Sequence, residues 1–318
     1  MPTKILIVKL GYSETLDSEI ARIPSLGDVL RTTPILWALK EKYPDSNITW
    51  LVDRQAEPLL HGNSLINRVL AWDEFVPFQL MKEKFDVLIN LEKIPGICAL
   101  SDTIDAWVKY GFRFDGINGT YHAYERGLDF IDYIEKKKKT GKLRDCWQKV
   151  LIQMMGSEWK GQEYIIGYKP RSKKAHDVGL NYTVGSKWPH KAMPLEKWKD
   201  LEKELTREGY KVSWQQGVDD LYAYMDWINS CGIIVSNDSL GLHIAFALKK
   251  KVVGLFGPTD SKEIYFYDNS KVVRSGTKCK YMPCYKIKCI SGKGCMEKIA
   301  TRDIVSCIKD LDKQKRPA

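Results

Sequence analysis

No stretch of this 318-residue chain approaches the roughly 20 consecutive apolar residues that a membrane-spanning helix needs. Met1 leads into Lys4-Ile5-Leu6-Ile7-Val8 without the apolar core and cleavage site of a secretory leader. A spanning or secreted protein is thereby disfavoured; the expected location is cytoplasmic, at most peripheral to the inner face of a membrane. Internal repeats and long low-complexity segments are also missing, which leaves ordinary globular domains. The composition that is present, 44% hydrophobic and 28% charged, excludes a disordered or fibrous chain. Its length suits two domains better than one or three.

The formal charge of +10 is unevenly placed. Residues 271–298 hold eight Lys or Arg against one Glu, and a second cluster joins Lys136, Lys137, Lys138 and Lys139 to Lys142 and Arg144. Such patches suit phosphates, anionic membrane surfaces or nucleic acid, which all reward Coulomb attraction and counterion release. The lysine run reads better as a solvated face. Of the eight cysteines, Cys98, Cys146, Cys231 and Cys307 are scattered, whereas Cys279, Cys284, Cys289 and Cys295 share one loop. In a reducing compartment four crowded thiols point to a metal before disulfides. Their spacing lacks the regularity of paired C-x-x-C knuckles, yet four soft ligands suit a closed, structural zinc or iron site. Four free thiols in a basic loop is the alternative.

Residues 5–8 form a short β-rich run, after which Val29, Leu30, Ile35, Ala38 and Leu39 recur at helical spacing. Residues 48–52 and 86–91 repeat the look of buried strands. Short apolar strands separated by helices predict an α/β fold with parallel sheets covered on both faces, because parallel pairing needs long crossovers. The pattern restarts after a polar stretch at 168–174, with a strand at 178–181 and strands near 232–236 and 252–256. Between them lies a helix at 195–205 whose Leu195, Trp198, Leu201 and Leu205 share a face. Two Rossmann-like domains are therefore expected, residues 1–170 and 171–318, with sheets facing a central cleft. The polar tail after Leu311 is expected to fray.

The most informative stretch is Val235-Ser236-Asn237-Asp238-Ser239-Leu240-Gly241-Leu242-His243. A buried strand passes through a short polar loop into an apolar helix, so the helix's free N–H groups and positive dipole end lie at the sheet's carboxyl edge and make an anion site. Ser239 and Gly241 allow close backbone approach of a diphosphate. Asp238 is either a helix cap or an acceptor from a ribose or sugar hydroxyl, and His243 weighs equally as a donor contact and as a packed helix residue. A second segment runs from Asn181 and Thr183 to Lys187-Trp188-Pro189-His190-Lys191. It sets strand, hydrogen-bonding loop and paired cations in order, making Asn181, Thr183, Lys187 and Lys191 donor-side candidates. Lys191 is the preferred phosphate ligand, although either lysine also reads as a surface charge. A third segment, Ser25-Leu26-Gly27-Asp28 with Thr32-Thr33-Pro34, follows an unusually long loop at residues 11–24. Asp28, at a helix start, is either another cap or the single carboxylate that takes a proton from an attacking hydroxyl in an inverting transferase.

Together these segments resemble glycosyltransferase family 9, whose best-known members are the ADP-heptose:lipopolysaccharide heptosyltransferases. The resemblance spans nearly the whole chain on four anchors in family order. They are Ser25-Leu26-Gly27-Asp28 with Thr32-Thr33-Pro34, Gly179-Leu180-Asn181 with Trp188-Pro189-His190-Lys191, Asn237-Asp238-Ser239 through His243, and Leu255-Phe256-Gly257-Pro258-Thr259-Asp260. It implies a GT-B fold, with acceptor recognition in the N-terminal domain and nucleotide-sugar binding in the C-terminal one. It matches Asp28 to the catalytic base, Lys191 to the diphosphate-binding lysine and Asp238 to His243 to the donor loop. Inverting transfer of a sugar to an acceptor hydroxyl follows, with heptose from ADP-heptose and lipopolysaccharide or other glycan assembly as the family expectation. Lysine and helix dipole would stabilise the leaving diphosphate, so no catalytic cofactor is expected. Cysteine-rich insertions, one type iron-binding, occur in some members. The chain departs from the family in the long 11–24 loop and in a shortened connection from Gln215 to Cys231. The latter lacks the usual ribose-contacting acid and leaves Asp219 or Asp220 as substitutes.

Two other readings stand beside the transferase. One is a nucleic-acid-binding protein with a basic metal knuckle, weakened because Tyr281 and Tyr285 are the basic stretch's few aromatics. The other is an acceptor-independent GT-B epimerase or hydrolase. For the transferase, the partners are a nucleotide-sugar donor, a glycan, glycolipid, protein or small-molecule acceptor, and a peripheral contact with anionic membrane.

Overall fold

Residues 5–8 are fully buried, as a strand covered on both faces requires. They belong to β1 (Thr3–Val8), which pairs in parallel with β2 (Ser46–Val52) on one side and β4 (Lys84–Asn90) on the other. The computed structural model describes residues 1–12, 23–128, 132–133, 145–286, 289, 291–292 and 294–313. Outside them lie the basic cluster of Lys136, Lys137, Lys138, Lys139, Lys142 and Arg144, most of the 11–24 loop, and tail residues 314–318.

The chain forms two compact units, Met1–Tyr168 and Lys169–Ala318. In the first, β3 (Arg68–Ala71), β5 (Asp105–Asp115) and β6 (Thr120–Ala123) complete a sheet of order β3-β2-β1-β4-β5-β6, parallel except for β6. The single helical periodicity read over 29–39 becomes two helices, α1 (Leu26–Thr32) and α2 (Ile35–Lys42). Pro34 has no N–H to offer the Leu30 carbonyl, which is taken instead by the Thr33 amide at 3.1 Å. Val29, Leu30, Ile35, Ala38 and Leu39 are all buried despite the break. The sheet is also flanked by α3 (Val76–Leu80), α4 (Pro95–Thr103) and α5 (Trp147–Met154). Leu6, Val8, Leu51, Leu80, Leu88 and Ile97 meet in its core.

The second unit has the all-parallel order β11-β10-β9-β7-β8. Its strands are β7 (His176–Asn181), β8 (Val212–Trp214), β9 (Cys231–Asn237), β10 (Lys251–Phe256) and β11 (Ser270–Arg274). Its helices are α6 (Leu195–Arg207), α7 (Leu221–Ser230), α8 (Leu240–Ala247) and α9 (Thr301–Lys313). Trp198, Leu201 and Leu205 of α6 and Ile304, Ile308 and Leu311 of α9 enter one core, where full burial of each such side chain contributes about 1.5–3 kcal/mol. Leu195, in the first turn of α6, stays 47% exposed. Helix α8 is buried all round, as its apolar sequence demands.

Strand order reverses between β1 and β4 in one sheet and between β7 and β9 in the other. Parallel α/β sheets bind ligands beyond the carboxyl ends of strands at such a reversal, which selects the loops after these four strands. No helix among the described residues is long and apolar enough to cross a membrane.

Candidate active site

In the second unit the reversal gathers three of the segments singled out in sequence. After β9 the chain passes Asp238 and Ser239 into α8. The loop after β7 ends in a short turn at Pro189–Lys191, and β10 runs into Gly257, Pro258 and Thr259. Lys191 Nζ lies 2.7 Å from Asp238 Oδ2, and Thr259 Oγ1 donates to the same oxygen at 2.7 Å. Burial would push the Asp238 carboxyl up. The Lys191 charge and hydrogen bond, the His243 charge and the Thr259 hydroxyl outweigh it and hold the pKa at about 2. The result is a buried carboxylate, ionised at neutral pH, that pins a lysine beside the start of a helix. Lys191 also stands 5.2 Å over the Trp188 ring. Within the motif at 255–260 nothing in the sequence marks Thr259 for this contact.

The other donor-side candidates fall around this pair. Lys187 and His243 are buried, at 4% exposure each. Asn181 is fully buried, and its amide bonds Ser236, Ser239 and Tyr224, while Thr183 bonds Gln215. Asn181 therefore holds Ser239 from beneath. Gly241 has a reason other than backbone approach to a ligand: a Cβ there would lie 2.3 Å from Tyr224 Oη and 2.4 Å from Asn181 Nδ2. Of the two acids considered for a ribose, Asp220 caps α7 by accepting from Tyr222 N at 2.9 Å, and Asp219 is exposed.

In the first unit Asp28 lies in the first turn of α1, where Ser25 occupies the cap position without a side-chain cap bond. The Asp28 carboxylate does not simply cap: Arg31, one turn on, brings Nη2 to 2.9 Å from Oδ1, with both side chains largely buried. The Arg31 guanidinium sits 5.6 Å over the Trp147 ring. At the reversal itself Glu92 Oε1 accepts from the amides of Gly11 and Tyr12 at 2.8 and 3.2 Å and lies 3.4 Å from Lys9 Nζ, a fully buried pair. Ser25 N returns to the Gly11 carbonyl at 2.7 Å, so this buried pair anchors the base of the loop that leads to Asp28. Neither Arg31 nor Glu92 was singled out in sequence.

The cysteine loop docks on the Thr259 turn. The amides of Cys284 and Tyr285 both donate to the Pro258 carbonyl, at 2.9 and 3.0 Å. A Cβ at Gly257 would lie 2.8 Å from Cys295 Sγ and 2.6 Å from Met296 Sδ, so only glycine admits the loop so closely. Burial, then the neighbouring thiols of Cys284, Cys289 and Cys279, push the Cys295 thiol up to about 11. Among the described residues no group of three or more His, Cys, Asp or Glu is arranged to hold a metal ion.

A family model described as Glycosyltransferase family 9 (heptosyltransferase) matches residues 216–294. Lipopolysaccharide heptosyltransferase 3 of Escherichia coli K12 is 24% identical over 295 residues, covering 74% of this chain and 80% of the relative. Among solved structures, the E. coli heptosyltransferase WaaC with ADP has a TM-score of 0.67 at 13% identity, covering 97% of this chain and all of that one. The iron-containing dodecameric glycosyltransferase TibC of enterotoxigenic E. coli gives 0.63 at 10% identity, covering 99% and 77%. By family model and curated relatives the chain is similar to the heptosyltransferases of glycosyltransferase family 9, and it has their GT-B fold.

Proposed function

We propose that this chain transfers heptose from a nucleotide-activated donor, with ADP-heptose as the leading candidate, to a hydroxyl of a lipopolysaccharide-type acceptor. The observation that carries the donor half is the meeting of Lys191, Asp238 and Thr259 from three separate loops at the strand-order reversal. In this reading the second unit holds the donor: the Lys191 ammonium and the first amides of α8 take the diphosphate and steady it as it leaves. Asp28, in the first unit, accepts the acceptor's proton as the oxygen attacks the anomeric carbon, and a single displacement inverts that centre. WaaC has been solved with ADP, and the lipopolysaccharide enzyme of E. coli is among the relatives, which supports this choice of donor and acceptor. The basic stretch at 271–298 supplies charge suited to an anionic acceptor or membrane surface.

The test is calorimetry of the purified protein against ADP-, GDP-, UDP-, CMP- and dTDP-linked sugars, followed by transfer to heptose-deficient lipopolysaccharide with the anomeric configuration read by NMR. Saturable binding of an ADP-linked heptose and a product of inverted configuration are expected. Absence of binding across the panel would sink the reading.

The same proposal includes a structural metal held by Cys279, Cys284, Cys289 and Cys295. The crowding of four cysteines into one loop and the iron content of TibC support it. A bound zinc or iron would close the loop with four thiolates and take no part in transfer. Elemental analysis of freshly purified protein should give about one metal per chain, lost in Cys284→Ser; a metal-free chain would refute it.

A further inference from the structure

Beneath the start of α8 the direction of every hydrogen bond can be worked out from one donor that admits no ambiguity. The Thr183 backbone N–H can only donate, and it meets the Gln215 side chain at 2.9 Å, so the atom facing it is the amide oxygen. The Thr183 hydroxyl donates to that oxygen as well, at 2.8 Å. The other end of the amide, Nε2, therefore donates to the Tyr224 phenol oxygen at 3.2 Å. Tyr224 has one hydrogen to give, and it goes to Asn181 Oδ1. With its oxygen engaged, Asn181 presents Nδ2 to two serines and donates to Ser236 Oγ at 2.7 Å and Ser239 Oγ at 2.9 Å. Ser236 passes its own hydrogen to the Asn237 carbonyl at 2.7 Å.

Ser239 ends the chain differently. It holds the N-cap position of α8, yet its side chain makes no cap bond, and its hydroxyl oxygen is used to accept from Asn181. Its hydrogen has no acceptor among the described residues. Resting on the reading of this edge as the donor site, we propose that Gln215 and Tyr224 are positioning residues: they set the polarity of this chain so that Ser239 faces the ligand as a hydrogen-bond donor. The ligand atom that suits such a donor at a helix start is an anionic oxygen of the donor's diphosphate. Tyr224 is nine-tenths buried or more and, with Asn181, fills the space that a side chain at Gly241 would need, so the relay is built into the packing. Without the Tyr224 hydroxyl, the Asn181 amide is released to turn over, offering Oδ1 to Ser239 and drawing its hydrogen inward.

The experiment is a double-mutant cycle read by calorimetry with ADP as the probe. In the wild type, Ser239→Ala is expected to weaken ADP roughly tenfold, the scale of one hydrogen bond to a charged group. In Tyr224→Phe the same substitution is expected to cost less than about twofold, because the hydrogen no longer faces the ligand. Gln215→Met, at a half-buried position, removes the same polarity without a change in the core and should shrink the Ser239 increment likewise; it decides the matter where Tyr224→Phe does not fold. A purely structural role for Tyr224 lowers the melting temperature but leaves the Ser239 increment intact, and that result, or no loss from Ser239→Ala in the wild type, overturns the relay while the donor site stands. Failure of the wild type to bind ADP, GDP or UDP overturns the donor reading and the relay together.

Discussion

Each unit sets a carboxylate against a cation beside the start of a helix, and the two pairs are made in different ways. Asp28 and Arg31 lie one turn apart on α1, so local helix geometry alone brings them to 2.9 Å. Asp238, Lys191 and Thr259 come from three loops, at sequence separations of 47 for the first two and 21 for the first and last. They meet only when β7, β9 and β10 are in register. A local pair is suited to holding one reacting group through large changes in its surroundings. A pair assembled from distant loops is suited to reporting that a whole binding edge has formed. The largest effect should come from the local side: Asp28→Asn is expected to reduce turnover about 10²–10⁴-fold, the range of a lost general base, while leaving ADP affinity unchanged. Equal losses in turnover and ADP affinity would break the division of labour between the two pairs.

Lys191→Met addresses the distant pair. It removes the proposed diphosphate contact and leaves a buried carboxylate without its closest cation, so a loss of about 3 kcal/mol in stability is expected alongside weaker ADP binding. In Lys191→Met/Asp238→Asn, denaturant melts should show much of the stability restored, while ADP binding stays weak. Recovery of both together would mean that Lys191 acts only by shielding Asp238.

What the sequence made legible follows the same division. The strand-loop-helix pattern at 235–243 places its loop at a sheet's carboxyl edge in any parallel α/β fold, so Asp238 and His243 are legible as candidates for one donor loop, whereas the contact of Lys191, from a separate segment, with Asp238 is visible only in the fold. The strands at 48–52 and 86–91 were equally plain, being short, largely apolar runs in which only Asp86 is exposed. Pro34 carried a visible warning that the helical spacing across it would split, and the warning lies in its missing N–H rather than in the apolar pattern. Gln215 and Tyr224 left no such signal. Tyr224 sits on the apolar face of α7, where periodicity reports only burial, and the partner of a buried phenol depends on which loops fold over it. Arg31 was hidden for the opposite reason, since a basic residue in the last turn of a helix already has an ordinary explanation.

Acid titration sharpens the distant pair further. The folded Asp238 carboxyl is depressed to about 2, below the usual aspartate value near 3.9. A depressed carboxyl adds stability that is fully present above its unfolded value and is lost as pH falls through the folded one. Urea melts should therefore lose about 2 kcal/mol between roughly pH 4 and pH 2 in the wild type beyond what Asp238→Asn loses. An identical acid profile for the two proteins would show that Lys191 and Thr259 do not hold the charge as their distances imply.

The smallest effect expected is on the stability of the local pair. Removing Arg31 leaves Asp28 in the first turn of α1, where the helix's unpaired amides and dipole favour a negative charge in place of the guanidinium. The carboxylate is also the more exposed of the two unit-defining acids, at 13% against 8%. Arg31→Gln should therefore cost about 1 kcal/mol in a denaturant melt, well short of Lys191→Met, because a neighbouring structure already suits the charge it leaves behind. The Trp147 ring beneath the guanidinium adds a contact that Arg31→Lys keeps in part, so the lysine variant should fall between wild type and glutamine. A loss from Arg31→Gln as large as that from Lys191→Met would mean that the first pair, too, is held by the fold around it rather than by its own helix.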